Sequence, residues 1–550
     1  MPGPLRVGGR LGTDVDAGQP PEEWARAQDP DRATVLDAGV LRVAVTGGGA
    51  QRIAMRRGGL IWTAAPFAAE PALAPGQAAH EHDAATAVVD DDGHVEVATG
   101  PSGASPLYVA AVADGAHFGS RIAPLVAADE RQLTPDWDAW AHVLAVGAPL
   151  EGRTPFEEIR RLTPWQRLQA SPSTPAHVVD GSWAWLDLPR GDAGTIEEVL
   201  AAVEARIARL AQASLLGSTL SGGWDSRVLA SLAAAANPPG RTPAWTTASD
   251  TGTALDELVA TQVASHLGLR HTLVPAEHHR FRSDLERYAS LVDHQSSFHV
   301  WAMPLTEALR GEDVTVLDGL GGGIFLNDAF RGDGSPTPSR DARFADLARY
   351  LGGARRVLRP EVTEQITART RAAFDDISST LDGHPHERAL LAYRTRTWPG
   401  IAHGVFSLVG DATSVATPFL DEEVVRAAAS LPADERRDGK LYRSLLHRIR
   451  PELAELPTAS QLTGPDRQLP RRGASRSAAA TYRELLQRDP IRELVDPSLL
   501  AADLPVWCDL LGRTRPQHLI RSLAVLALWI ERYGERLGGR DVSDLLSPVG

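Results

Sequence analysis

A glycine- and serine-rich segment between an apolar strand and a helix constrains the fold of this chain more than any other feature. The run LLGSTL reads as a strand, SGGWDSR follows at residues 221–227, and an alanine-rich helix is predicted over 228–236. Two further strand-like runs, TPAWTTAS and HTLVP, alternate with a helix that begins near Leu255. Strands that alternate with helices of this length predict a parallel, doubly wound α/β sheet.

The regions on either side of this pattern read differently. The first 190 residues carry short strand-like runs separated by Gly-, Asp- and Pro-rich turns, which is typical of antiparallel strands, with a helix over 133–146. A loop-rich stretch over 171–192 marks the expected domain boundary, and the chain after about Asp341 is predicted to be helical. We therefore expect an α/β chain with an antiparallel β domain over 1–190 and a parallel-sheet domain with a helical C-terminal part over 191–550.

Composition narrows the classes of function. The 550 residues carry a formal net charge of −14 and a single cysteine, Cys508. The charge excludes a broadly cationic nucleic-acid surface, and one cysteine excludes both an intramolecular disulfide and a multi-cysteine metal site. No stretch approaches the roughly 20 apolar residues of a membrane span, and the first residues lack the apolar core of a secretory signal. We expect a cytoplasmic protein with no membrane span and no nucleic-acid partner.

The segment at 221–227 has the chemistry of a phosphate-binding turn. Gly222 and Gly223 allow successive backbone N–H groups to point at an anion, with the N-terminus of a helix behind them. Ser221 and Ser226 add hydroxyl donors, and Asp225 offers the hard oxygen ligand that Mg²⁺ prefers. The segment therefore predicts that these five residues bind the phosphates of ATP, with magnesium held at Asp225.

Lysine occurs once, at Lys440, among 56 lysines and arginines. In a chain that otherwise uses arginine, a retained ammonium group indicates chemistry that a guanidinium cannot perform, because its charge is compact and its pKa is tunable. Lys440 is therefore the candidate catalytic residue.

The heptapeptide resembles the SGGxDS pyrophosphate-binding loop of the PP-loop ATP pyrophosphatases, and further segments are similar to those of the asparagine-synthetase family. The similar segments are Asp256-Glu257, Leu267-Gly268, His271, Thr417-Pro418-Phe419-Leu420-Asp421, Leu431-Pro432 and Gly439-Lys440. The resemblance implies that Lys440 contacts pyrophosphate and the transition state. It also implies that Asp318 and Gly319 border the nucleotide, with Asp318 joining Asp225 as a magnesium ligand.

The front half resembles the glutamine-amidotransferase domain of the same family, which has the Ntn-hydrolase fold. The similar segments are GPSGASPLY at 100–108, GSRI at 119–122 and RTPFEEI at 153–159. Glutamine-using members carry a cysteine after the initiator methionine, whereas this sequence has Pro2 there. We therefore expect this domain to be structural, and the amine to come from the substrate.

Two departures from the family pattern bear on the subtype. The stretch DGLGGGIF at 318–325 has Leu320 where β-lactam synthetases carry a tyrosine. It also has Gly323 and Ile324 where the family places an acidic residue that helps hold magnesium, and Asp318 or Asp328 is the candidate replacement.

These features predict an ATP-dependent ligase that adenylates a substrate carboxylate, releases pyrophosphate, and joins the acyl group to an amine to give an amide and AMP. The resemblance favours a lasso-peptide macrolactam cyclase, which implies a leader-peptide-binding protein and a leader peptidase as partners. The alternatives are another small-molecule amide ligase, a β-lactam-synthetase-like enzyme, or a catalytically degenerate scaffold of the same fold.

Two other features are predicted to be structural. Arg227 is expected on a helix surface rather than as a clamp on pyrophosphate. His278 and His279 are expected in a solvated loop, because adjacent histidines cannot share one helix face as metal ligands.

Overall fold

The fold was analysed in a computed structural model of the chain. It describes residues 4–12, 20–29, 31, 33–38, 40–47, 52–56, 58–67, 83–112, 115–191, 193–248, 254–328, 339–462, 472–538 and 541–545. Pro2 therefore lies outside the described residues.

Two six-stranded antiparallel sheets form the N-terminal part. Their strand orders are β10-β8-β9-β1-β3-β2 and β12-β11-β7-β6-β5-β4. Inward-facing residues such as Val43, Trp62, Val97 and Phe118 form one apolar core cluster drawn from both sheets. The strands are β1 (Arg6–Gly12), β2 (Thr34–Asp37), β3 (Leu41–Thr46), β4 (Ile53–Arg56), β5 (Gly59–Thr63), β6 (Ala84–Val89), β7 (Val95–Thr99), β8 (Tyr108–Val112), β9 (Gly115–Gly119), β10 (Ile159–Arg161), β11 (Gln166–Ser171) and β12 (Thr174–Asp180). Three helices accompany them, namely α1 (Pro21–Gln28), α2 (Ile122–Ala128) and α3 (Trp137–Val146).

A five-stranded parallel sheet lies at the centre of the second part. Its strands are β13 (Leu216–Thr219), β14 (Pro243–Thr247), β15 (Arg270–Val274), β16 (Thr315–Leu317) and β17 (Ser414–Ala416), in the order β15-β14-β13-β16-β17. The chain moves outward in one direction from β13 to β15 and then returns to the other side of β13 for β16. Ligands of open α/β sheets bind at the carboxyl ends of the strands where the order reverses, which here is between β13 and β16.

Helices surround this sheet and make up most of the remaining chain. The entry helix α4 (Ile196–Ala213) begins with a capping box, in which Thr195 accepts from the backbone of Glu198 and the Glu198 carboxylate accepts from Thr195 N. The others up to β17 are α5 (Trp224–Ala236), α6 (Ala254–Leu267), α7 (Phe281–Leu291), α8 (Met303–Leu309), α9 (Gly322–Phe325), α10 (Arg340–Leu347), α11 (Pro360–Ser379), α12 (Glu387–Ala392) and α13 (Gly410–Ala412). Those beyond β17 are α14 (Glu422–Ser430), α15 (Ala433–Arg436), α16 (Lys440–Ile449), α17 (Pro451–Ala454), α18 (Ala459–Leu462), α19 (Arg476–Leu486), α20 (Pro497–Ala501), α21 (Leu504–Leu511) and α22 (Thr514–Tyr533). Two π-helical stretches, Tyr393–Ile401 and Gly404–Val409, lie between α12 and α13.

The expected fold class is confirmed, with antiparallel sheets first and a parallel doubly wound sheet second. The prediction that the chain is helical after about Asp341 was wrong at one place, because β17 adds a fifth strand to the sheet. Its three residues are fully buried and too few to show a strand period. The boundary at 190/191 stays a prediction.

The two parts share one large core cluster. Trp529 of α22 packs against Trp137 and Trp140 of α3 and against Phe156, with ring centroids 6.3, 5.1 and 5.4 Å away. Arg161 of β10 is buried and donates to the backbone oxygen of Trp398 at 2.9 Å. The N-terminal part is thus packed directly against the helical C-terminal part. None of the helices in the described ranges combines the length and the apolar character that crossing a membrane requires.

Candidate active site

The segment 221–227 forms the turn between β13 and α5, at the switch point of the parallel sheet. The Ser226 hydroxyl accepts from the backbone N–H of Ser221 at 3.0 Å and lies 3.0 Å from the Ser221 hydroxyl. The Ser221 hydroxyl in turn accepts from Gly223 N at 3.2 Å. No side chain caps the start of α5. Its first N–H groups are therefore available to an anion, as a phosphate-binding turn requires.

Two glycines let other segments approach this turn closely. A Cβ on Gly222 would lie 2.6 Å from the Cβ of Ala459 and 3.0 Å from Oδ1 of Asp256. Ala459 N also donates to Gly222 O at 3.1 Å, which ties the turn to the start of α18. A Cβ on Gly319 would lie 2.6 Å from the Cβ of Asp225. The loop after β16 therefore packs directly on the first turn of α5.

Asp225 and Asp318 bring two half-buried carboxylates to the switch point. Burial and the charge of Asp318 raise the pKa of Asp225 to about 6, whereas a hydrogen bond from the Tyr442 hydroxyl opposes this rise. Burial also raises the pKa of Asp318, against hydrogen bonds from Leu320 N at 2.9 Å and from the Thr219 hydroxyl at 3.3 Å. The two acids repel each other and no cationic side chain pairs with either among the described residues.

This arrangement fits a hard divalent cation. Carboxylate oxygens are the ligands that Mg²⁺ prefers, and a cation would relieve the repulsion between Asp225 and Asp318. Asp328 does not join them, because its carboxylate pairs with Arg388 at 3.0 Å and lines a different cleft. Gly323, where the resemblance places an acidic residue, has open space at its Cβ position. Of the two candidate replacements, Asp318 is the one beside Asp225.

A cavity of about 510 Å³ opens at this point. At one end it is bordered by Ser221, Asp225 and Ser226 of the turn and by Asp318 and Gly319 of the loop after β16. Its other walls are largely apolar, and Asp256 and His299 also reach it. The apolar lining residues are Leu220, Trp245, Trp301, Ala302, Leu305, Leu320, Ile401, Val405 and Val409. Among the described lining residues, the charged side chains are acidic. Such a cavity is large enough for a nucleotide and an apolar acyl group.

Lys440 stands apart from the lining of this cavity. Its Nζ lies 2.6 Å from Oε1 of Glu435, and its side chain is 49% exposed. The preceding Gly439 has a φ of 70°, and a Cβ there would lie 2.7 Å from Nε1 of Trp224. The start of α16 therefore packs on the first residue of α5, while the amine points to Glu435. Contact of Lys440 with pyrophosphate stays a prediction.

Sequence reasoning missed Tyr442 and His299. Tyr442 is fully buried two residues after Lys440, and its hydroxyl donates to Asp225 across 217 positions of sequence. A Cβ on Gly322 would lie 2.0 Å from Oδ1 of Asp225 and 2.4 Å from the Tyr442 hydroxyl oxygen. The phenol and carboxylate therefore meet only because residue 322 lacks a side chain. No local sequence pattern predicts a contact between residues so far apart in the chain.

The prediction that Arg227 lies on a helix surface was wrong. Its side chain is 0% exposed and stacks over the Trp224 ring at 4.7 Å. It donates to the carbonyl oxygens of Leu453, Leu456 and Pro457 at 2.9, 2.6 and 3.2 Å. Arg227 thus holds the segment after α17 against α5 and does not reach the phosphate turn. The residues 278–280 form an exposed turn, as the sequence predicts.

The family model described as asparagine synthase matches residues 197–531 of the chain, which is more than half of its length. No curated protein matches the chain. Among solved structures, the NMN synthetase of Francisella tularensis is similar at 18% identity, over 29% of this chain and 72% of that one. The TM-score of 0.19 makes this likeness too distant to indicate a function.

Proposed function

The chain belongs to the asparagine synthase family, and on that premise we propose that it is an ATP-dependent, AMP-forming amide-bond ligase. The observation that carries the proposal is the convergence of the 221–226 turn, Asp225 and Asp318 on one cavity at the switch point of the sheet. In the proposed reaction a substrate carboxylate attacks the α-phosphorus of ATP and pyrophosphate leaves. A substrate amine then attacks the acyl carbon, giving the amide and AMP.

Each step assigns a task to residues of this chain. The hydroxyls of Ser221 and Ser226 and the free N–H groups at the start of α5 hold the phosphates. Asp225 and Asp318 hold Mg²⁺, which when bound neutralises charge on the phosphates. Lys440 stabilises the charge that develops at both steps. For this its ammonium group must leave Glu435 and move to the phosphate-binding segment at 221–226.

We propose that the amine comes from the substrate and not from glutamine. The sequence has one thiol, that of Cys508, and it lies on α21 in the helical C-terminal part. A glutaminase of the Ntn type needs a cysteine nucleophile beside its own α-amino base. The two antiparallel sheets then support the ligase domain through the core that they share with it.

Within this class we propose a macrolactam synthetase of the lasso-peptide type. Leu320 lines the cavity where the resemblance places the tyrosine of β-lactam synthetases, and a leucine cannot relay a proton. Ring closure on a peptide needs activation, which adenylation supplies, and proximity, which the apolar walls of the cavity favour by confining the chain. A leader-binding protein and a leader peptidase would deliver the peptide.

Pyrophosphate release with Mg·ATP and candidate peptides tests the ligase proposal. With a competent substrate, wild-type protein should form AMP, pyrophosphate and an amide in equal amounts. Lys440→Arg should still bind Mg·ATP, with turnover reduced about 100-fold or more, as for loss of one preorganised transition-state donor. Arg448→Lys, eight residues along the same helix and exposed, serves as the control and should leave turnover unchanged.

The second candidate is a catalytically degenerate scaffold. The contact between Lys440 and Glu435, away from the cavity lining, favours it. A degenerate scaffold predicts that Lys440→Arg changes neither Mg·ATP binding nor turnover, and that no carboxylate–amine pair gives AMP or pyrophosphate. Either result would contradict the ligase proposal.

A further inference from the structure

A second cleft, of about 260 Å³, shares no lining residue with the cavity at the switch point. Residues 384–389 at the start of α12 form one wall, and Arg343 of α10 forms another. Asp328 and Arg436, with Ala433, complete it. The cleft therefore lies between the loop that follows α9 and the short helix α15 that precedes Lys440.

The arginines at this cleft outnumber the carboxylates that pair with them. Arg388 pairs with Asp328 at 3.0 Å, and Arg343 pairs with Glu387. Beside the cleft, Arg437 contacts Asp434 at 2.6 Å and Asp328 at 3.6 Å. These pairs use the three carboxylates, and no ion pair joins a carboxylate of the described residues to the Arg436 guanidinium.

Arg436 is also the most enclosed of these cations, at 6% exposed. Its Nη1 donates to Phe325 O at 3.3 Å, and within the described ranges its buried Nε has no hydrogen-bond partner. Burial lowers the pKa of Arg436, the charge of Asp328 opposes this, and the charges of Arg388 and Arg437 lower the pKa further. A guanidinium stays charged all the same, so the charge of Arg436 is held in a buried position where, in the described part of the chain, only Asp328, already paired with Arg388, opposes it. Most buried polar groups in native proteins have partners, and Arg436 is a lining residue of the cleft, so a ligand in the cleft is in position to supply one.

The two histidines of the cleft do not supply that partner. His384 Nε2 lies 3.0 Å from Leu186 O, and His386 Nε2 contacts Pro189 O. Both rings thus donate to backbone carbonyls of the segment before α4, which fixes this wall of the cleft. They offer no negative charge to Arg436.

We propose that this cleft binds a compact oxyanion, a carboxylate or a phosphate group, on the guanidinium of Arg436 with Arg388 beside it. The planar fork of an arginine matches both groups with two parallel hydrogen bonds. The inference does not rest on the proposed ligase activity, because the cleft and the switch-point cavity have separate walls.

The position of the cleft gives the bound oxyanion a structural consequence. Arg436 contacts the end of α9 through Phe325 O at 3.3 Å, and Gly439 contacts the loop after α9 through the Asn327 side chain at 2.7 Å. Glu435, the residue directly before Arg436, accepts a hydrogen bond from Lys440 Nζ at 2.6 Å. An oxyanion on Arg436 would therefore stabilise the segment from which Lys440 begins α16.

Thermal unfolding of the full chain in sodium phosphate or sodium acetate, against sodium chloride at equal ionic strength, tests this site. The wild-type midpoint should rise with anion concentration and saturate. Arg436→Gln should weaken the apparent affinity at least about tenfold, and Arg436→Lys should weaken it less, because it keeps the charge and loses the fork. A lower dissociation constant for phosphate than for acetate identifies a phosphate ligand, and the reverse identifies a carboxylate.

Two controls separate this site from the rest of the molecule. Arg355→Gln removes an equal charge from an exposed position and should leave the anion affinity unchanged. A Ser221→Ala, Ser226→Ala double variant alters the phosphate turn and should keep the Arg436-dependent shift, which distinguishes this proposal from the ligase proposal. No saturable shift in wild-type protein, or equal affinity in wild type and both Arg436 variants, would overturn it.

Discussion

At the scale of single residues, the Asp225 side chain reaches its place because residue 322 has no side chain. We expect Gly322→Ala to push the Asp225 carboxylate and the Tyr442 ring apart, since the new methyl group would overlap both. Affinity for Mg·ATP should fall at least about tenfold, in line with loss of a charge-assisted contact. Isothermal titration with a non-hydrolysable ATP analogue measures it.

Gly323→Ala is the matched control for this change. It lies in the same helix, and its Cβ position has open space. It should bind nucleotide as wild type does and unfold at the same or a slightly higher temperature. Equal losses of nucleotide affinity in both variants would mean that any substitution in the short helix α9 disturbs binding, and that the Asp225–Tyr442 contact is not the cause.

The Tyr442 hydroxyl influences how the affinity for Mg·ATP falls at acid pH. A protonated Asp225 cannot hold a cation, so nucleotide binding should weaken as pH falls through its pKa of about 6. The hydrogen bond from Tyr442 lowers that pKa, and its removal in Tyr442→Phe should move the acid limb of the binding curve to higher pH. The measurement is the Mg·ATP dissociation constant between about pH 5 and pH 8, a range that includes the Asp225 pKa of about 6.

Tyr393→Phe controls for loss of a buried phenol, because its hydroxyl donates to Ser102 O at 2.6 Å and is absent from the cavity lining. Its binding curve should match that of wild type. An unmoved curve in Tyr442→Phe would show that Asp225 does not titrate during binding.

At the scale of secondary-structure elements, Arg227 connects α5 to the segment that packs on the phosphate turn. Arg227→Met keeps the bulk of the side chain and leaves the carbonyls of Leu453, Leu456 and Pro457 without their donor. We expect the free energy of unfolding to fall by about 3 kcal/mol or more, since hydrogen bonds to charged groups are the costly ones to lose. Urea unfolding followed by circular dichroism measures it.

The control is Arg209→Met on α4, whose side chain is 38% exposed and pairs with Asp421 and Glu423 at 3.4 Å. Surface ion pairs contribute about 0–1 kcal/mol, so this variant should lose little. A similar loss in both variants would contradict the connecting role of Arg227.

The same elements show what the sequence can and cannot predict. The order β13, turn, α5 was predictable, because strand, glycine pair and helix follow one another within 21 residues. The Arg227 contacts were not, because its acceptors lie 226 to 230 positions away. The same holds for Tyr442, whose partner is decided by how α16 packs on α5. Strand β17 was missed because three buried residues carry no period.

At the scale of the whole molecule, burial favours the neutral form of eight histidines among the described residues, and the pKa is lowered furthest in five of them. Burial, the largest cause for each, lowers their pKa values, to about 4 for His142 and about 3 for His294 and His299. The pKa values of His403 and His518 are lowered well below the ordinary value by the same cause. Since the unfolded chain takes up these protons near pH 6.5, the stabilisation is complete above that pH and is lost as pH falls toward the folded values.

We therefore expect the unfolding temperature to fall steeply below about pH 6.5, with each histidine contributing up to about 1.4 kcal/mol per pH unit. Calorimetry from pH 7.5 down to about pH 5 covers the upper part of this window. His142→Gln should make the slope shallower, while His279→Gln, whose side chain is 81% exposed, should leave it unchanged. A stability that stays flat over this range would contradict the expectation.

The indole of Trp529 lies among the rings of Trp137, Trp140 and Phe156, which precede it by nearly four hundred positions. During synthesis on the ribosome, the face of α3 that carries Trp137 and Trp140 therefore lacks this indole until α22 has emerged. It also follows that cutting the gene between its two halves would leave each product with an open aromatic face, prone to precipitate.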